Sequence, residues 1–337
     1  PVRLLRACRL TLQLGFDIDP FTRAQISRDA SLLSSVASER IRDEFLRILA
    51  NDDAVKSLRM LDNLDLLCGV IPELEAAKGV VQPKEHYWDV FDHLLETVGQ
   101  IEVLIGKRAA HHEFVLELVP TFDVKDEYFD QPVSDGHNRL TALKLTALLH
   151  DIAKPAMKTV EPSGKIRFLG HDKEGGSNVG TILERLRCSN KMAAMARTMV
   201  TNHLRPNQMA PPGCHPSNKA IFRYYRDVGS VSIDTLYLSM ADHLAARGPD
   251  LRRGEWATQC EIIDHILRNR PIPSEASTPR SILNGNDLMS LFSLSPGPII
   301  GILLETIEEA QVSGQVNTTK EAFDLVKSKL ESGGISA

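Results

Sequence analysis

His150 is followed directly by Asp151 at the end of the apolar run LTALKLTALLHDIA. Imidazole and carboxylate are side chains that a hard or borderline divalent cation takes together. Adjacent residues on a helix point about 100° apart, so the pair can face one ion only at a helix end or bend. Pro155 is expected to supply that end. One such pair is too few for a catalytic centre, and further residues of ligand type stand elsewhere. His93 sits among Leu94, Leu95 and Val98. Asp242 lies within LYLSMADHLAARG, a charge in an apolar helix that needs a partner. His171 follows Gly170 in an expected loop, and His203 ends AAMARTMVTNHLRP before Pro206. His93, His150, Asp151, His171, His203 and Asp242 are therefore the candidate ligands of a divalent ion, whether Mg, Mn, Ni, Fe or Co. Taken singly, each also fits a satisfied core residue.

A bound ion would lower the pKa of a water and polarise a phosphoryl oxygen. Asp151 is the candidate catalytic residue for orienting that water, together with Lys154 three positions on. Lys154, Arg205 and Arg247 are candidate phosphate-binding cations, with a solvated surface charge as the alternative for the two arginines. The other histidines read as surface or capping residues, with His86 and His243 as the expected exceptions.

The elements that must position this chemistry read as helices, so the expected fold class is all-α. RLLRACRLTLQLG carries apolar residues at helical spacing and stops at Gly15, and Asp19-Pro20 opens a second helix. A third begins at Ser38-Glu39-Arg40-Ile41, and a fourth, AVKSLRMLDNLDLL, ends before Gly69. These form an expected neck bundle over residues 1–75. A helical body is expected over 76–275, with helices at about 88–104, 140–153, 174–188, 190–203, 216–227, 231–247 and 254–269. Within it, a polar stretch at 106–137 reads as an inserted or mobile loop with some helix. SGKIRFLGHD reads as a small hairpin or irregular loop. Pro271, Pro273 and Pro279 mark a linker to a tail over 276–337 with two helices.

Composition bounds the function. The chain of 337 residues is 42% hydrophobic and 25% charged, which excludes a mainly disordered polymer. A formal net charge of −5 excludes an indiscriminate nucleic-acid coat but allows a local basic groove. Aromatics at 5% disfavour a base-stacking platform. No apolar run reaches the roughly 18 residues of a membrane span, so no membrane partner is expected. The odd, scattered cysteines Cys8, Cys68, Cys188, Cys214 and Cys260 point to reduced thiols in a cytoplasmic protein.

The ordered set His93, His150-Asp151, Asp242 resembles the H…HD…D pattern of the HD superfamily of metal-dependent phosphohydrolases. His171 and His203 match its subset that holds a second metal or contacts the substrate phosphate. Ala153 stands where the superfamily's HDxGK often has glycine. The opening PVRLLRACRLTLQLGFDID is similar to the neck of class II tRNA nucleotidyltransferases and bacterial poly(A) polymerases. HDIAKP, RFLGHDKEG, NHLRP, ADHLAARGPD, LNGNDLM and TTKEAFDLV extend the resemblance over essentially the whole chain. It implies that Arg3 belongs to the nucleotide-selecting motif and that Arg3, Arg6 and Arg9 bind nucleotide or RNA. Read without it, the three arginines drift around the helix and suit a solvated face. It also implies tRNA or another RNA 3′ end as partner, and a nucleotide phosphate as substrate. The family's head domain, with the carboxylates for nucleotide transfer, lies outside this sequence, so nucleotide addition is not expected of this chain alone. The expected activity is hydrolysis of phosphate mono- or cyclic diesters. The alternatives are an RNA-gripping scaffold with a silent HD fold and a stand-alone nucleotide phosphohydrolase.

Overall fold

The computed structural model describes residues 1–271 and 281–332. In chain order the helices are α1 (Arg3–Leu14), α2 (Pro20–Asp29), α3 (Ser38–Leu49), α4 (Ala54–Asn63), α5 (Leu67–Val70) and α6 (Val90–Leu104). Two short helices follow, α7 (Phe114–Leu118) and α8 (Lys125–Asp130), then a two-stranded ribbon of β1 (Pro132–Ser134) and β2 (His137–Asn138). Next come α9 (Arg139–Leu149), α10 (Lys154–Met157) and a second ribbon of β3 (Thr159–Val160) and β4 (Ile166–Arg167). The remainder is α11 (His171–Arg185), α12 (Asn190–Asn202), α13 (Arg205–Gln208), α14 (Asn218–Val228), α15 (Ser232–Arg247), α16 (Arg253–Arg268), α17 (Gly285–Phe292), α18 (Pro298–Val312) and α19 (Thr319–Glu331). The fold is all-α, and both ribbons are antiparallel pairs.

Local chemistry explains the ends. α1 stops where Gly15 turns left-handed at φ 68, and Asp19 caps α2 with Pro20 in its first turn. The stretch 106–137 holds α7, α8 and β1, more order than a loop. SGKIRFLGHD supplies the turn and second strand of a hairpin whose first strand precedes it, with Thr159 opposite Arg167 and Val160 opposite Ile166. The tail carries α17, α18 and α19 among its described residues, where the sequence suggested two helices. The additional short helix α17 is held by a reciprocal cap between Asn284 and Asp287.

The chain forms two compact units, one of Pro1–Gln208 with Ser230–Asp264, the other of Met209–Gly229 with His265–Ala337. These differ from the boundaries expected at 75 and 275. The first helices join those that follow because Lys144 on α9, nearly sealed from water, donates to Glu102 Oε1 of α6 at 2.6 Å and to the carbonyls of Leu49 and Asn51 at 3.2 and 3.0 Å. The Ala54 amide of α4 donates to the same Glu102 oxygen. The linker expected around Pro273 and Pro279, with its boundary at 275, lies outside the described residues.

In the first unit α9 is buried along its whole length, and α6 and α15 nearly so, which places them centrally. α11 lies close against α12 because glycines face it. A Cβ at Gly176 would collide with Thr201 Oγ1, and one at Gly175 would meet Val200 Cγ1 at 3.1 Å. In the second unit, Leu283, Leu288, Leu303, Ile307, Ala322 and Val326 share a core. Glu309 of α18 there accepts from Arg223 of α14 at 2.6 Å. The described cysteines are all free, and among the described residues no helix is long and apolar enough to cross a membrane.

Candidate metal centre

Five elements of the first unit deliver the six predicted ligands to one place. His93 lies in the first turn of α6, which Asp89 caps. His150 caps the C-terminus of α9, and Asp151 sits in the turn that follows. Pro155 does not end α9, as the sequence suggested. It lies in the first turn of α10, where its missing N–H has no helical partner to lose. His171 is also not in a loop: it opens α11, after Gly170 reverses the chain at φ 81. His203 caps the end of α12, and Asp242 projects from α15.

His93 Nε2 lies 3.2 Å from His150 Nε2, 3.1 Å from Asp242 Oδ1 and 3.3 Å from Asp151 Oδ2. His150 Nε2 is 3.2 Å from Asp151 Oδ2. The other oxygen, Asp151 Oδ1, faces His171 Nε2 at 3.2 Å and His203 Nε2 at 3.7 Å. The donors thus form two groups, His93-His150-Asp151-Asp242 and Asp151-His171-His203, with all atoms of each within 4.8 Å of one another. Asp151 is shared, one oxygen turned to each group.

Three of the imidazoles are set alike. Nδ1 of His150, His171 and His203 faces the carbonyl three residues back, on Ala147, Phe168 and Val200, at 2.8, 2.6 and 2.6 Å. A nitrogen against a carbonyl carries a proton, which leaves each Nε2 turned inward as the ring atom that can meet a cation. Asp151 Oδ1 and Nε2 of His171 and His203 are buried without a hydrogen-bond partner. Buried acceptors left this way are costly. Metal–ligand bonds of about 2.1 Å set neighbouring donors roughly 3 Å apart, and the observed spacings match. The residues present therefore fit a divalent cation.

The two carboxylates favour positive charge at this place. Burial opposes charge on His150, but Asp151 and Asp242 outweigh it and push the imidazole up to about 10. Burial also works against ionised Asp151 and Asp242. The neighbouring His150, with Lys154 beside the first and His93 beside the second, nevertheless holds both carboxyls well below the ordinary range. His203 goes the other way: burial and the His150 charge lower it to about 4, so it stays a neutral donor.

The centre opens into a cleft of about 540 Å³ walled by Glu85, His86, Lys154, the segment 165–169, Asn207 and His243. Lys154 is buried, 2.5 Å from Asp151 Oδ2 and 2.8 Å from Gln82 Oε1. The structure does not bring Arg205 or Arg247 to this wall. Arg205 Nη1 reaches Asn202 on α12, and Arg247 binds the Glu85 carbonyl and Glu255. The cations that do line it, Lys165 and Arg167, escaped the sequence reading. Their signal is the spacing of two, which puts them on one side of an extended strand. The expected exceptions His86 and His243 both lie at the cleft.

The predicted nucleotide- or RNA-binding arginines lie on α1. Arg3 is exposed. Arg6 and Arg9 both bind the buried Glu44 of α3, at 2.8 Å each, and Arg47 approaches the same carboxylate at 3.9 Å. Three guanidinium groups on one carboxylate leave a local excess of two positive charges.

The profile described as "Probable RNA and SrmB- binding site of polymerase A" matches residues 15–78, and that of tRNA nucleotidyltransferase domain 2 matches 254–326. The chain is 30% identical over 336 residues to the A-adding tRNA nucleotidyltransferase of Deinococcus radiodurans, covering 97% of this chain and 68% of that protein. It is 29% identical over 327 residues to the CC-adding tRNA nucleotidyltransferase of Thermus thermophilus, covering 95% and 64%. The chain thus spans about two thirds of the length of these relatives. The fold matches an apo CCA-adding enzyme (TM-score 0.53, 17% identity, 100% of this chain and 61% of that one). It also matches the Bacillus stearothermophilus CCA-adding enzyme in complex with CTP (TM-score 0.52, 17% identity, 98% and 62%). The chain belongs to the tRNA nucleotidyltransferase family.

Proposed function

We propose that this chain is the RNA-gripping part of a tRNA nucleotidyltransferase and carries a separate, metal-dependent phosphohydrolase centre. The observation that carries the second half is the convergence of six ligand-type side chains, among which Asp151 Oδ1 and Nε2 of His171 and His203 have no hydrogen-bond partner. A structural core has no use for three imidazoles each held by Nδ1 with Nε2 turned inward. Their mixed nitrogen and oxygen set favours Mn, Fe, Co or Ni over Mg.

A bound divalent ion would activate a water and polarise a phosphoryl oxygen. The protein's own residues supply the rest. His93, His150, Asp151 and Asp242 would hold one ion; His171 and His203, with Asp151, would hold a second, or the two histidines would meet the substrate phosphate. Lys154, fixed by Gln82 and Asp151, offsets negative charge that builds on the phosphoryl group. In a 2′,3′-cyclic ester, addition of one water breaks one P–O bond and returns the proton to the freed hydroxyl, leaving a monoester. RNA gripping rests on the names of the relatives, which act on tRNA, and on the positive excess around Glu44.

The test is metal analysis of the purified chain, with hydrolysis of 2′,3′-cyclic nucleotides and a generic phosphodiester after loading with each of the five metals. One or two ions per chain, and turnover lost in Asp151→Asn, are expected. Absence of bound metal and of turnover under every loading would overturn the phosphohydrolase reading. A gel shift with tRNA tests gripping, and it should survive Asp151→Asn.

A further inference from the structure

The β3–β4 hairpin joins Lys154 to His171 and is tied into the centre at its base. The Phe168 carbonyl accepts from His171 Nδ1 at 2.6 Å, and Lys154 Nζ stands 5.5 Å from the centre of the Phe168 ring. Phe168 is itself buried. Beyond that base, the arm is built for contact with something outside the protein. Leu169 is 70% exposed and Val160 is 62% exposed. Arg167 is paired with Glu161 on its own hairpin. Lys165 is exposed, lines the cleft, and has no ion pair among the described residues. Its position is fixed by a tight turn, in which Glu161 N–H donates to the Lys165 carbonyl at 2.9 Å and Gly164 takes φ 82.

The reacting phosphoryl group already has its cation in Lys154 and its candidate ion ligands deep in the cleft. A second, unpaired cation at the rim answers a second negative charge, and an exposed leucine beside it answers a sugar or base. A mononucleotide cyclic phosphate carries one phosphate; an oligonucleotide end carries another one nucleotide inward. We propose that the β3–β4 hairpin is the specificity arm of the centre. Lys165 holds the penultimate phosphate of an RNA 3′ end and Leu169 supports its terminal nucleoside, so that polynucleotide ends are preferred over free nucleotides. This rests on the phosphohydrolase reading for the fate of the bound end, but not for its binding.

Two measurements separate the readings. The first compares kcat/KM for a tetranucleotide ending in a 2′,3′-cyclic phosphate with that for the matching mononucleotide, using the metal-loaded chain. The preference for the tetranucleotide should be about tenfold or more, and Lys165→Ala or Lys165→Glu should lower that ratio towards one. The second measures anisotropy of a fluorescent tetranucleotide 3′-phosphate. Its dissociation constant should rise about fivefold or more in Lys165→Ala, and the slope of log affinity against log salt should fall by about 0.7, the single-strand value for one phosphate contact. Leu169→Ser should weaken binding without changing the salt slope. Lys165-dependent binding with no turnover would uphold the arm and overturn the phosphohydrolase reading. A tetranucleotide affinity and salt slope unmoved by both Lys165 variants would overturn the arm, whatever the turnover.

Discussion

Two buried charged clusters of the first unit differ in a way that separates structure from chemistry. At one, Asp234 of α15 accepts from Arg139 Nε at 2.9 Å and from the Tyr128 hydroxyl at 2.6 Å, while Arg139 also binds the Ser230 carbonyl. Arg139 further lies over the Tyr128 ring. Both oxygens of Asp234 have a donor, so the cluster closes on itself. At the other, Lys154 reaches Asp151 Oδ2, but Asp151 Oδ1 and the inward nitrogens of His171 and His203 have no hydrogen-bond partner. Burial alone is the same in both. Closure marks a brace, and convergent open donors mark a place for an ion.

This comparison can be broken from either side. The largest effect is expected at the brace. Asp234→Ala strands Arg139 without its carboxylate and should lower unfolding free energy by about 3–5 kcal/mol in denaturant titration. A loss under 1 kcal/mol would remove the contrast. Next, metal at 100 times its dissociation constant should stabilise the chain by about 2.7 kcal/mol. The gain should raise Tm in calorimetry, and Asp151→Asn should erase it. Third, Gly176→Val drives a branched side chain into Thr201 and should cost about 1–3 kcal/mol. It should also weaken metal affinity, because the α11–α12 contact sets His171 against His203. Smaller still, His203→Gln in metal-free protein should cost about 1 kcal/mol or less, because its inward nitrogen has no partner to lose.

The last prediction concerns acid. In the second unit the hydrogen bonds from Arg223 pull the Glu309 carboxyl from its ordinary 4.5 down to about 2. A depressed folded pKa stabilises above the unfolded value, and that stability is lost as pH falls from about 4.5 to about 2. Circular dichroism of wild type and Glu309→Gln should diverge near neutral pH and converge at the acid end. A constant difference would show that Glu309 acts through packing alone.

Much of the centre was legible because its residue types are unusual in their settings. A histidine or aspartate within an apolar run, as at His93 and Asp242, declares an unmet need before any coordinates exist. The helical class was equally legible from apolar spacing, as in α1 and α12. Less visible was anything decided by packing. Pro155 reads as a helix stop, yet α9 ends earlier and Pro155 begins α10. Arg205 and Arg247 stand close in sequence to His203 and Asp242, yet the faces of α13 and α15 turn them elsewhere. Lys165 and Arg167 looked like ordinary hairpin charges until the hairpin was seen at the cleft.

The sequence by itself therefore determined the inventory: which helices form, which side chains can hold a cation, and the family to which the chain belongs. Only the tertiary structure decided the assembly. It showed that Asp151 turns one oxygen to each donor group, that three imidazoles turn Nδ1 to the carbonyl three residues back, and that the first helices and those after them form a single unit around Lys144 and Glu102. The physical reason is range. Helix propensity and side-chain chemistry act over a few neighbouring residues, whereas convergence depends on close packing between helices far apart in the chain.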